Sequence, residues 1–280
     1  MKTKLKVFIL VTILAIVQTI AISYALAQEE PVQKNESAVS VPQDSKQSPG
    51  PKIEFEGRYW RPALSGSVKA VSANIGSGID IKDDLGLKNE GIPEGKFTWY
   101  TGPSSSLRLS YFQVGYDGDN RLERTIQFKG KEFTAGTNVQ TNADIKDAKL
   151  GWAWQFINLA NGKIKLGTLL EASLVNVTYT IKNTSGLIDE KQSFMAPVPA
   201  IGCALDVAPW KWMDLFLDLS GLPLGSYGHT FNVETGIKFV PITNFSIVCG
   251  YRYFDLDYEN KPDFLKVKLS GPFVGATLRF

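Results

Sequence analysis

Histidine, cysteine and long apolar runs are scarce in this chain, and each scarcity removes a class of function. The 280 residues include one histidine and two cysteines. Cys203 and Cys249 come with no metal-ligand spacing, so no metal and no other cofactor is expected. Neither cysteine lies near residue 27, which argues against a lipid anchor there. Beyond the first two dozen residues no apolar run approaches twenty, so no later transmembrane helix is expected. A basic surplus is missing too. Setting aside Lys2, Lys4 and Lys6 reduces the 30 basic residues to 27, against 28 acidic ones. No basic block or motif remains to suggest a nucleic-acid partner.

The first residues have an order of their own. Three lysines precede an apolar run from Val7 to about Ile22, and Ala25-Leu26-Ala27 follows. This is the layout of a secretory signal peptide cleaved after Ala27, giving residues 1–27 as the signal. Residues 28–52 are rich in Gln, Ser, Pro and charge, and read as a disordered leader that cannot bury a core. One domain is expected over 53–280.

That domain is written in period two. Leu150, Trp152, Trp154 and Phe156 alternate with Lys149, Gly151, Ala153 and Gln155. Leu215, Leu217 and Leu219 alternate with Asp214, Phe216, Asp218 and Ser220. Alternation this persistent argues for strands rather than helices. Short turns at 102–105, 158–162, 209–212 and 241–244 alternate with longer polar segments near 63–94, 117–140, 182–193, 222–228 and 258–264. The predicted strands are 53–62, 95–102, 105–117, 141–157, 163–181, 194–208, 212–222, 229–240, 244–257 and 265–280. The fold class is therefore all-β, a single antiparallel up-and-down barrel of about ten strands, with eight and twelve as alternatives. Residues 121–135 are expected to form a hairpin extending the wall.

The last segment, "PFVGATLRF", sets Val274, Ala276, Leu278 and Phe280 against Phe273, Gly275, Thr277 and Arg279. This two-faced strand ending on an aromatic residue resembles the C-terminal strand of Gram-negative outer-membrane β-barrels. The resemblance implies that Phe280 is an insertion signal read by the barrel assembly machinery. It also implies an outer-membrane location among lipid and lipopolysaccharide, with the oligomeric state left open. In such a barrel the apolar face meets lipid and the polar face lines the lumen. The inward set is then Arg58, Arg108, Asp147, Lys149, Glu171, Asp206, Asp214, Asp218, Glu234, Lys238, Arg252 and Arg279, acids and bases mixed as in a salt-bridged lumen. Arg252, Phe216 and Phe273 would occlude much of it. Trp60, Trp99, Trp152, Trp154, Trp210 and Trp212 are expected in interfacial girdles. Cys203 and Cys249 fall on the lipid face, with two strands between theirs, as free buried thiols.

Two features invite a catalytic interpretation. "IDIKDDLGL" at 79–87 gathers Asp80, Asp83 and Asp84 but lacks the spacing of a calcium loop. Its apolar residues Ile79, Ile81, Leu85 and Leu87 suggest a lid folded over the barrel mouth. His229 is placed near the extracellular rim. A rim histidine with Asp83 and Asp84 resembles the omptin proteases, yet the residue two before His229 is Tyr227, where that family has an acid. It also resembles the lipid A deacylases, yet Phe231 stands where a nucleophilic serine is wanted, Thr230 points to the other face, and Ser226 lies in the loop. The expectation is a non-enzymatic barrel with a structural or surface-interaction role and a narrow solute path at most. A rim enzyme, or a carrier of small hydrophobic compounds, is the alternative.

Overall fold

The computed structural model describes residues 52–69, 77–128, 130–183, 189–223, 225, 228–260 and 262–280. The expected signal, nearly all of the leader, Ser226 and Tyr227 lie outside them. In chain order the strands are β1 (Ile53–Trp60), β2 (Ala63–Lys69), β3 (Ile79–Asp80), β4 (Ile92–Gly102), β5 (Ser105–Arg121), β6 (Ile126–Phe128) and β7 (Lys131–Phe133). They continue with β8 (Asn138–Leu159), β9 (Ile164–Asn183), β10 (Asp189–Trp210), β11 (Met213–Pro223), β12 (Gly228–Ile242), β13 (Phe245–Asn260) and β14 (Asp263–Arg279).

Ten of these close a ring. The order is β1-β4-β5-β8-β9-β10-β11-β12-β13-β14, every neighbour antiparallel, and β1 pairs with β14 to complete it. Closure leaves no edge in the ring, the condition for strands to cross lipid. The ten strands correspond to the ten expected, so eight and twelve are set aside. β2 continues the line of β1 after a break at Arg61-Pro62 and pairs with the upper part of β14.

Short turns mark one end of the ring, which in outer-membrane barrels is the periplasmic end. There Asn161 adopts φ 54° and Gly162 φ 88°, tightening the turn between β8 and β9. At the other end the strands run long. β8 and β10 each have 22 residues, whereas a tilted span needs only about 9–11. Roughly half of each strand therefore stands above the lipid.

The two halves differ in which face is apolar. In β9, Leu170 and Leu174 are exposed on the outer wall, while Val175, Val177, Tyr179 and Ile181 above them are buried inside. The strand keeps its register; the chemistry of its faces exchanges. β5 does the same between exposed Tyr111 and buried Phe112, and β8 between exposed Leu150 and buried Ile145. The pairing Tyr111↔Ala148↔Leu174 puts these exchanges at one height. The expectation that polar residues face inward along the whole barrel is thus corrected. It holds in the lower half, where lipid is the outer solvent, and reverses above it, where water is.

Loops complete the upper core. Ile79, Ile81, Leu85 and Leu87 are all buried beneath the mouth, packed with Ile126, Phe128 and Phe133. β6 and β7 form the expected hairpin but do not extend the wall. They make a separate two-stranded sheet whose apolar side chains belong to the interior.

Candidate functional site: the lumen and its two closures

Inward positions in the lower half carry a connected set of ions. Nearest the periplasm, Glu54 accepts from Lys238 at 2.8 Å and from Arg279 Nε at 3.0 Å. Asp214 lies 3.9 Å from Arg279. Higher up, Arg58 donates to Glu234 at 2.6 Å and also to Glu56. Lys96 donates to both oxygens of Glu234, at 2.8 and 3.0 Å. Arg252 donates to Glu94 at 3.0 Å and to Asn232 Oδ1 at 3.1 Å. Along the opposite wall Arg108 pairs with Asp218 at 2.9 Å, Lys149 stands 3.6 Å from Glu171, and Gln155 donates to Asp206 at 2.6 Å. Ser220 also donates to Glu171, and Asp147 is buried above it.

Most of these charges are tolerable because they meet an opposite one, whereas Asp206 is held by the neutral Gln155 amide and Asp147 Oδ1 has no hydrogen-bond partner. Moving an unpaired ion out of water has an effective cost of several kcal/mol even after relaxation. Within the network a cavity of about 50 Å³ remains, lined among others by Arg108, Lys149, Glu171 and Arg252. One water needs roughly 10–15 Å³ of such space, so the room suits a few waters rather than a hydrated solute.

All twelve expected lumen charges lie on inward-facing register positions. Glu54, Glu56, Glu94, Lys96 and Asn232 were missed. Glu54 and Glu56 alternate in phase with Arg58, a signal that was available. Glu94 lies one residue before the strand expected from 95.

Arg252 and Arg58 end the ionic region against aromatic rings. The Arg252 guanidinium lies 4.8 Å from the Trp60 ring centroid and 5.9 Å from that of Phe112, and Arg58 lies 4.4 Å from that of Phe273. Trp60 is therefore no girdle residue. It is 1% exposed and donates from Nε1 to the Gly271 carbonyl at 3.1 Å. Its place follows from parity, since it alternates in phase with Glu54, Glu56 and Arg58. Trp99, Trp152, Trp154, Trp210 and Trp212 are exposed on the outer wall. Trp152 stacks with Trp154, and Trp210 with Trp212. Cys203 and Cys249 are free and on the outer, lipid-facing wall, as expected, but are exposed there rather than buried. Phe280 is exposed as well, with Phe55 beside it at 6.3 Å between ring centroids.

The rim residues do not converge on one another's chemistry. Asp80 Oδ1 accepts from the backbone N–H groups of Lys82 and Asp83, both at 2.8 Å, and Asp84 Oδ2 accepts from that of Asp80. Asp84 also accepts from Arg124 Nε at 3.0 Å, which holds the guanidinium above its usual value. These acids shape a turn and latch it to the next loop. Gly86, at φ 66°, completes that turn in a conformation that favours glycine. His229 is exposed, and the β12–β13 register places Asp257 opposite it. Nothing in sequence links those two positions. Asp257 Oδ2 accepts from Lys266 at 2.9 Å. Thr230 is buried and Phe231 exposed, so neither supplies a nucleophile on the histidine's face. Among the described residues no group of three or more His, Cys, Asp or Glu is arranged to hold a metal ion.

A closed antiparallel ring with short turns at one end, an apolar outer belt and an ionic interior decides the architecture. The fold is that of a Gram-negative outer-membrane β-barrel. Its lipid-facing belt and closed ladder place the chain in that membrane. The outer-membrane protease OmpT from Escherichia coli superposes with a TM-score of 0.53 at 10% identity, over 81% of this chain and 96% of that one. The translocator domain of the autotransporter NalP from Neisseria meningitidis gives 0.45 at 9% identity, over 82% and 89%. The attachment invasion locus protein Ail of Yersinia pestis gives 0.38 at 16% identity, over 82% and 99%. No protein-family model and no curated protein sequence matches the chain.

Proposed function

We propose that this outer-membrane barrel is non-enzymatic, has a structural or surface-interaction role, and is closed to general solute diffusion at rest. The observation carrying this is the double closure of the lumen. Paired ions fill the lower half, and the apolar side chains of loop 79–87 and of β6 and β7 fill the upper one. A hydrated solute would have to break buried ion pairs and then cross an apolar interior, each step unfavourable. The long upper wall, polar outside, supports the surface-interaction role because it projects beyond the lipid. Residues 1–27 act as a cleaved export signal and 28–52 as a periplasmic leader, consistent with β1 starting at the short-turn end. Phe280 serves as the insertion signal for the assembly machinery. Reconstitution in a planar bilayer tests the closure. Absent or very small conductance is expected, and steady nanosiemens steps would overturn it.

A further inference from the structure

The upper wall lacks one stave. β4 pairs with β1 no higher than Ile92↔Trp60 and with β5 no higher than Glu94↔Phe112. β5 continues to Arg121, paired with β8 throughout, so from Gln113 upward the ladder lies on one side alone. Across the gap, β2 pairs with β14 along its length but with β3 only at Ser67 and Val68.

Residues 81–91 occupy this slot, and side chains do much of the holding. Asn120 Nδ2 donates to the carbonyls of Asp83 and Asp84 at 2.8 and 3.0 Å. The Leu64 N–H donates to Asn89 Oδ1 at 3.0 Å, and Arg124 joins Asp84 to the Gly78 carbonyl, the latter at 2.8 Å. Gly118 permits the closest approach, since a Cβ there would lie 2.2 Å from the Leu85 carbonyl oxygen.

Behind the slot lies the apolar upper core. Leu85 and Leu87 belong to the same buried cluster as Val114 and Tyr116 of β5. The hydroxyls of Tyr116 and Thr141 are buried there without a hydrogen-bond partner. Apolar walls with two unused hydroxyls suit an amphiphile that has one aliphatic chain and a hydrogen-bonding head.

We propose that residues 81–91 are a removable stave, and that the vacated slot admits a single aliphatic chain from outside into the upper half. At rest the stave stays in, because leaving would expose Leu85 and Leu87 to water. A chain that replaces their contacts removes that penalty and holds the slot open. The path ends at Arg252 over Trp60, so ligand entry leaves the ionic lumen closed. The stave is part of the upper, apolar closure proposed above, so the inference rests on that reading and leaves the lower, ionic closure untouched.

The test uses the full barrel in amphipol with Cys203→Ser and Cys249→Ser, its fold checked by heat-modifiable migration. In that parent, Leu87→Cys reports opening through its rate of reaction with a water-soluble maleimide. Adding Asn120→Ala and Arg124→Ala should raise the rate by about tenfold or more, as expected when a local opening equilibrium shifts. An unchanged rate would overturn the proposal. Separately, cis-parinaric acid should show saturable fluorescence with the parent. That binding should be lost when Asp83→Cys and Asn120→Cys are joined by a short bifunctional thiol reagent. Equal binding with the stave pinned, or no saturable binding in the parent, would also overturn it. Conductance reads the lumen closure independently of both arms.

Discussion

The guanidinium of Arg252 lies 4.8 Å from the centroid of the Trp60 ring while donating to Glu94 at 3.0 Å. One side chain thus joins the ionic lumen to the apolar core above it. Arg252→Met leaves Glu94 buried without its main cation, which should destabilise the barrel by roughly 3–5 kcal/mol. Arg252→Met with Glu94→Gln should recover much of that loss, because the orphaned charge is gone. Urea unfolding in lipid vesicles, followed by tryptophan fluorescence, measures both. A double variant no better than the single one would deny that charge is the cause.

Tryptophans inside and outside the wall should respond unequally. Trp60→Ala removes a fully buried indole and should cost about 3–5 kcal/mol. Trp210→Ala strips an exposed ring at a turn and should cost about 1 kcal/mol or less. The same unfolding measurement compares them, and equal losses would contradict the inward placement of Trp60.

Cys203 and Cys249 are exposed on the outer wall and not joined. In vesicles a lipid-soluble maleimide should label both, and a charged, water-soluble one should label neither at a comparable rate. Non-reducing electrophoresis should show no internal disulfide. Fast labelling from water would move the lipid boundary.

His229→Ala should leave lipid A acylation and surface peptidase activity of expressing cells unchanged. Asp84 is engaged by Arg124, and Asp257, opposite the histidine in the β12–β13 register, is engaged by Lys266. A lost activity, measured by mass spectrometry of lipid A or cleavage of a fluorogenic peptide, would restore the enzymatic alternative.

Much of the barrel was legible because lipid imposes a strict rule on each transmembrane strand. All ten strands follow from alternation and turn length, and the twelve lumen charges follow from parity. Trp60 was misplaced because residue type was weighed above phase, although Arg58 two residues earlier already fixed its side. The reversal of faces in the upper half was harder to see. Alternation looks the same in lipid and in water, and its only trace is a pair of adjacent apolar residues, Leu174-Val175 or Tyr111-Phe112. The missing upper stave leaves no local sign at all. It depends on where β4 begins relative to β1 and β5, which is a property of register between distant segments. Asp257 opposite His229 is illegible for the same reason.

The exchange of faces at a common height has a consequence for how the chain is built. Above that height the barrel obeys the solvent rule of a water-soluble protein, and below it the inverse. Neither bulk water nor bulk lipid can satisfy the whole chain, so the folded state has one vertical position, set by the exchange itself. Sliding a strand by two residues would preserve every side chain's facing yet move its polarity boundary by roughly 6–7 Å along the strand. β5, β8 and β9 each carry such a depth mark, and agreement among the three sets insertion depth.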